Sequence, residues 1–482
     1  MGANGAGKHC SVTASRRPPT PCRGSPMAKQ ALASSLALNG GPKAVSQIVG
    51  QPQPKIGVDE FMSIAQRFGF SGAVQEEIRA VISNEDLGPG PNLARYATAR
   101  PSQTKGEAFE ALARRMFGVP FALGVSSGTA ALHSAFVAAG VGPDTEVICP
   151  AIGFYATAAA VVQSKGVPVF CDVDESLGID PTQIEALITP RTVAIAPTHV
   201  MGSVCDMGSV MEIARKHGLK VVEDCAQSPG GRFRSQWVGT FGDLGCFSIS
   251  CYKIVGGGEG GLVLTGDRRL WERANQLAEC GGLWRTDRFA PPRYEGELFS
   301  GTNYRMSELE AAVDVVQLEK LPQIVDRHHT VKMSILHGLK TYREITPQKL
   351  NDPDGEIGYL LLFFPESTAL GRKLVEALNA EGIPCGIRGM NAPPDWHIYS
   401  DMYPITTQSG TMASDHPFAH AADGVATYVR GACPVADDLF ARCVTIRLDQ
   451  WWAPEDCDAI AAGINKVFSA YCTEDTAGMP WI

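Results

Sequence analysis

The stretch VPFALGVSSGTAALHSAFVAAGVGPDTEVICP, residues 119–150, decides the fold. FALGVSS is a short, continuously apolar run that ends in small polar residues. GTAALHSAFVAAG spaces its apolar residues at helical intervals and stops at Gly140, and TEVICP is again short and apolar. Strand, tight small-residue turn, helix, strand is the unit from which sheets covered on both faces are built.

Working outward, the same alternation continues in both directions. GEAFEALARRMFG (106–118) precedes it as a helix. After it come YATAAAVVQSKG (155–166, helix), VPVFCDVD (167–174, strand), PTQIEALI (181–188, helix), TVAIAPTHV (192–200, strand), VMEIARKHG (210–218, helix) and LKVVEDCA (219–226, strand). LGCFSIS and GGLVLTG add two further strands. The helical pattern of residues 306–339 is expected to be interrupted at Pro322. Beyond about residue 340, GYLLLFF, KLVEALNAEG and CVTIRLDQ read as a smaller α+β domain. The expected fold class is α/β: a mostly parallel central sheet with flanking helices, plus that smaller C-terminal α+β domain.

The domain boundaries expected are a disordered N-terminal extension over 1–50, a helical segment over 51–105, a large domain over 106–330 and a small domain over 331–482. The small domain holds a long Pro-, Gly- and Tyr-rich insertion near 391–432, of the kind kept for substrate contact. The first 58 residues contain no Asp or Glu. Such a start fits an organelle transit peptide, an upstream start with Met27 the natural one, or an expression scar.

With 482 residues and 44% hydrophobic content there is material for a large core. A net charge of −9 gives no basic footprint for nucleic acid, and no apolar run is long enough to cross a bilayer. The 14 cysteines are irregularly spaced without a C-x-x-C pair. They are expected to be reduced thiols of a cytoplasmic protein. No metal site is expected.

Four features carry chemistry. In SSGTAALHSAF, Gly128 and Thr129 open a helix and offer free N–H groups to a phosphate, although a packing turn would look similar. In VVEDCAQS, Glu223 and Asp224 close an apolar strand at the mouth of the sheet. A carboxylate there is more often a cap or ion-pair partner, but it can also hold a proton on a pyridinium nitrogen. In GDLGCFSISCYKIVGGGEGG (242–261), Lys253 follows an apolar strand and precedes a glycine run, an odd place for a solvated lysine. Burial there would depress its amine pKa, as a Schiff-base lysine requires. A Walker loop has its lysine after the glycines, so a nucleotide triphosphate site does not fit. In GTNYRMSELEAA, Asn303 and Arg305 are polar handles, or simply loop anchors.

Taken in order, SGTAAL, PAIGFYAT, VEDCAQSPGG, GDLGCFSISCYK with GEGG, and GTNYRMSELEAA resemble the DegT/DnrJ/EryC1/StrS family of pyridoxal-5′-phosphate (PLP) aminotransferases of fold type I. LALNGGPKAV (36–45) is similar to the opening of many members. The resemblance covers residues 36–330 strongly and the rest loosely. It implies that Lys253 holds PLP as a Schiff base and that Asp224 pairs with the pyridine nitrogen. It also implies that Gln227 approaches the phenolic oxygen, Phe154 covers the ring and Ser248 binds phosphate. Asn303 would reach the phosphate of a neighbouring subunit, implying a homodimer with shared sites. His199 and Asp206 match the pattern as structural or substrate-adjacent residues.

An amino donor, glutamate or glutamine, and a carbonyl acceptor among sugars, cyclitols or related metabolites are the partners implied. Members that replace the lysine by histidine are sugar dehydratases, and this chain keeps Lys253. The insertion departs from the common sugar aminotransferases and is similar to those of members acting on acidic eight-carbon sugars or antibiotic precursors. Another PLP reaction on the same scaffold and a non-catalytic PLP-binding regulator are the competing readings. A dinucleotide-binding dehydrogenase lacks its G-x-G-x-x-G turn.

Overall fold

The computed structural model describes residues 26–47, 49–50, 54–88, 90–91, 93–94, 103–389, 394–409, 417–419 and 428–482. Residues 1–25 of the expected N-terminal extension, and 410–416 and 420–427 with 391–393 of the expected insertion, lie outside the described residues. The chain divides into two compact units, Met1–Pro91 and Asn92–Ile482.

In the first unit a helix spans Pro26–Ser34, and helices Val58–Arg67 and Gly72–Val81 follow. Val58, Met62 and Ala65 pack against Ile78, Ile82 and Leu87, the apolar stripe that the sequence spacing places on one face.

The second unit is built on a seven-stranded sheet. Its strands are β1 Phe121–Val125, β2 Glu146–Pro150, β3 Val167–Cys171, β4 Thr192–Ile195, β5 Lys220–Asp224, β8 Leu244–Ser248 and β9 Gly261–Thr265. The short pair β6 Arg232–Phe233 and β7 Gln236–Trp237 forms a separate hairpin. The large sheet runs β1-β9-β8-β5-β4-β2-β3. Pairs β2–β3, β2–β4, β4–β5 and β5–β8 are parallel, whereas β9 is antiparallel to both β1 and β8. Two apolar cores, one on each face, explain why these strands read as continuous apolar runs rather than as alternating ones. The carboxyl ends of β1, β2, β4, β5 and β8 therefore share one edge, where loops are free to build a site.

A 31-residue helix, Glu308–Gly338, passes through Pro322 without the expected interruption. Proline removes one backbone donor, but Leu318, Leu321 and Ile324 are all buried around it. That packing outweighs the lost bond. The first half of the helix belongs to the large-sheet core. Its second half, through Val331, Ile335 and Leu336, belongs to the core of the smaller sheet. This antiparallel sheet has strands β10 Ile345–Pro347, β11 Leu360–Pro365, β12 Cys385–Ile387 and β13 Val444–Arg447, in the order β10-β11-β13-β12.

Candidate active site

At the common edge of the parallel strands lies a cavity of about 720 Å³. One wall comes from the large sheet through Ala226, Gln227 and Lys253. The other comes from the small sheet and the long helix through Tyr359, Arg447 and His328.

Lys253 sits at the tip of a closed loop. β8 ends at Ser248, the Cys251 N–H donates to Gly258 O (2.9 Å), and the Lys253 N–H donates to Ser250 O (3.0 Å). The lysine is half-buried. Burial holds its amine below the ordinary lysine range, against the opposing pull of the Asp224 charge. This is the balance a nucleophilic amine needs, since a free base must be present near neutral pH.

Asp224 ends β5 and is 2% exposed. The Thr157 hydroxyl donates to its Oδ2 at 2.6 Å and the Ala226 N–H to its Oδ1 at 3.0 Å. Its strand neighbour Glu223 points to the opposite side, as alternation along a strand requires. There Oε1 accepts the Phe241 and Gly242 N–H groups (2.8 and 2.7 Å), and Oε2 accepts that of Gly239 (2.7 Å). Of the two carboxylates, Glu223 is the loop anchor.

His199 is fully buried beside it. Its Nδ1 accepts the Cys205 N–H (3.1 Å), so its Nε2–H donates to Glu223 Oε2 (3.3 Å). His199, Glu223 and Cys225 thus bring ligand-type atoms together, but those of His199 and Glu223 are already committed to backbone amides and to each other. Asp206 caps the helix Met207–His217, accepting from the Ser209 N–H and hydroxyl. Both His199 and Asp206 hold backbone in place.

Gln227 fixes its Oε1 on the Met201 N–H (3.0 Å), which leaves its amide nitrogen to donate. Phe154 is 43% exposed and lies 5.2 Å, ring to ring, from His397, a cavity residue. His397 arrives from the far end of the chain: its carbonyl accepts the Gly153 N–H, and Ile398 bridges to Ile152. Burial, then Arg388 and Lys253, push its imidazole down to about 4. Its Nδ1–H donates to Asp395 (2.7 Å), which holds the ring in place.

A second group gathers beside this cavity-facing one. Ser127 caps the helix Gly128–Ala139 by accepting the Ala130 N–H. A Cβ on Gly128 would lie 2.7 Å from the Ser248 Cβ, so glycine is required where helix and β8 approach. The Gly128 and Thr129 amides have no hydrogen-bond partner among the described residues, and with the Ser248 hydroxyl they form a cradle suited to a phosphate. Asn303 stands on an exposed loop, its Oδ1 accepting the Arg305 N–H (3.2 Å).

Sequence reasoning missed the wall from the small sheet. Arg388 pairs with Asp395. Arg447, at the end of β13, makes no ion pair among the described residues. An arginine ending an otherwise alternating strand was the one local signal for it. Burial also pushes His328 down to about 4, leaving Arg447 as the uncompensated cation opposite Lys253.

A cavity lined by a lysine of lowered basicity, with a buried carboxylate and a group of free helix N-terminal amides close by, stands on a mostly parallel sheet with a small antiparallel companion, and the class is that of the PLP-dependent aminotransferases of fold type I. Residues 100–392 match the DegT/DnrJ/EryC1/StrS aminotransferase family, and the chain belongs to it. It is 34% identical to a UDP-N-acetyl-3-dehydro-α-D-glucosamine 3-aminotransferase of Acidithiobacillus ferrooxidans, over 75% of this chain and 88% of the relative. It is likewise 34% identical to an L-glutamine:2-deoxy-scyllo-inosose aminotransferase of Streptomyces fradiae, over 73% and 82%. The solved aminotransferase of Psychrobacter cryohalolentis superposes with a TM-score of 0.63 at 27% identity, covering 76% of this chain and 92% of that one.

Proposed function

We propose that the protein moves an amino group from glutamate or glutamine to a ketone or aldehyde carbon of a sugar, cyclitol or related metabolite, with Lys253 and Asp224 as its catalytic residues. The observation that carries this reading is a half-buried lysine of lowered basicity on a cavity wall, under the influence of a buried carboxylate. The relatives support the acceptor class by their own substrates, an amino sugar nucleotide and a deoxyinosose.

PLP, when bound, supplies a conjugated ring that stabilises negative charge at the donor's α-carbon. Lys253 Nζ takes the α-proton from the donor and returns a proton on the acceptor side. Asp224 keeps a proton on the ring nitrogen, while Thr157 and the Ala226 N–H hold its carboxylate in place. Gln227 donates through its amide nitrogen to the ring oxygen. Gly128, Thr129 and Ser248 receive the phosphate, and Phe154, backed by His397, covers the ring. Arg447 binds the donor's carboxylate.

Asn303, exposed on its loop, serves the phosphate of a neighbouring subunit, so the working form is a homodimer. Residues 106–330 act as the PLP-binding domain and 331–482 as the small domain, with its insertion on the substrate side; in the chain a helical segment (51–105) and an extension (1–50) precede them. The twelve described cysteines are unbridged, which fits a cytoplasmic setting.

The test is a visible spectrum of the PLP-saturated protein titrated with amino donors. Loss of the lysine-bound band with glutamate or glutamine, and its recovery on adding a keto sugar or ketocyclitol, is expected. A band that no donor moves would leave only a PLP-binding protein.

A further inference from the structure

The loop that carries Lys253 rests on carboxylates of the long helix. Its two arms pair back to back: the Ile249 N–H donates to Gly260 O (2.9 Å), the Gly257 N–H to Ile249 O (3.2 Å), and Ser250 bridges to Gly258. Against the returning arm lie Glu310, whose Oε1 accepts the Glu259 N–H (2.7 Å), Gln317, which accepts the Gly256 N–H (3.4 Å), and Asp314 between them. Asp314 is 0% exposed, and neither of its oxygens has a hydrogen-bond partner among the described residues. A Cβ on Gly257 would overlap Asp314 Oδ1, and one on Gly260 would lie 2.7 Å from Oδ2. The glycines after the lysine are therefore required by this side chain, which packs directly on their backbone.

We propose that Asp314 is a positioning residue for Lys253: its uncharged carboxyl is the packing partner that keeps the Ile249–Gly260 loop closed, and ionising it loosens the loop. Ionising a carboxyl that is fully buried and accepts no well-formed hydrogen bond among the described residues costs several kcal/mol, which favours its protonated form. Burial first, and then the charge of Glu310, raise it from 3.8 to about 8, against the opposing pull of the Gly257 N–H, which is near the carboxyl but has its well-formed bond to Ile249 O.

The other ionisable groups on this loop are Glu259 and Lys253, whereas the Cys246 thiol on β8 belongs to the core on the opposite face of the sheet. On the helix Lys105–Phe117, packed along the same long helix, Glu110 accepts the Gly124 N–H (2.8 Å). β9 carries no ionisable side chain. Asp314 thus adds its own change of charge behind the loop as pH rises through about 8.

The consequence for catalysis rests on the proposed role of Lys253, whereas the loop's response does not. The test is hydrogen exchange over residues 249–260 in the full-length, PLP-saturated protein, one pH unit below and one above about 8. Rates are corrected for intrinsic exchange. The native loop is expected to exchange about threefold or more faster on the alkaline side. Asp314→Asn, an uncharged isostere, should show no such step, and Asp314→Ala should likewise be insensitive to pH, so either variant decides the matter if the other fails to fold. The same step in the variants as in the native protein overturns the proposal, as does a native loop unmoved across it. A step that occurs while PLP proves to be bound elsewhere would sink the reading of Lys253 and leave the Asp314 latch standing.

Discussion

Replacing Glu223 by Gln tests how the sheet edge is held, and the structure gives the size of the effect. The carboxylate is 0% exposed and accepts three backbone N–H groups, from Gly239, Phe241 and Gly242, at 2.7–2.8 Å. The His199 Nε2–H is a fourth donor. Glutamine can keep its oxygen on Phe241 and Gly242, but its NH2 must then face the Gly239 N–H and the histidine donor. Donor meets donor at a buried point. Losing two charge-assisted bonds and stranding their donors should cost about 2–4 kcal/mol. Urea unfolding followed by tryptophan fluorescence reads it as a lower midpoint at unchanged slope. A loss below about 0.5 kcal/mol would refute the view that Glu223 is the anchor of the 239–242 turn. Because Asp224 is the next residue, PLP affinity should fall together with stability.

Arg447→Ala should raise the KM for the amino donor about tenfold to a hundredfold with little change in kcat, read from initial rates against donor concentration. Equal loss for donor and acceptor would contradict the carboxylate assignment. Asp224→Asn should retain PLP by absorbance yet lower kcat by about a hundredfold or more, in stopped-flow half-reactions. Asp314→Asn should change stability with pH in a defined direction. Between 3.8 and about 8 the folded protein keeps on Asp314 a proton that the unfolded chain has lost. Its contribution therefore falls as pH rises through that window and levels off above it. Urea midpoints of the variant should accordingly gain on the native protein toward alkaline pH.

The sequence made the large sheet legible because each of its strands is buried on both faces and bounded by small residues, so period and length agree. Lys253 and Asp224 stood out as candidates because each closes or follows an apolar strand, whereas Gln227 came from the family resemblance; the structure brings Lys253 and Gln227 to one cavity. Pro322 misled because a propensity argument cannot see that Leu318, Leu321 and Ile324 are all buried around it. Glu223 and Asp224 could not be told apart from composition. Alternation separates them only once one face of β5 is known to look at the 239–242 turn. His397, Arg388 and Arg447 were invisible because they come from elements more than a hundred residues beyond Lys253. They meet it only through the small sheet and the Ile152–Ile398 bridge. The Asp314 contact was hidden in the same way, although the glycines it demands were noticed for another reason.

The most direct check of the account is to saturate the protein with PLP, reduce it with borohydride, digest it and locate the modified peptide by mass spectrometry. A phosphopyridoxyl group on Lys253, within the peptide that follows β8, is the predicted result. The label on any other lysine, or none at all with PLP demonstrably bound, would contradict the assignment on which the proposed chemistry stands.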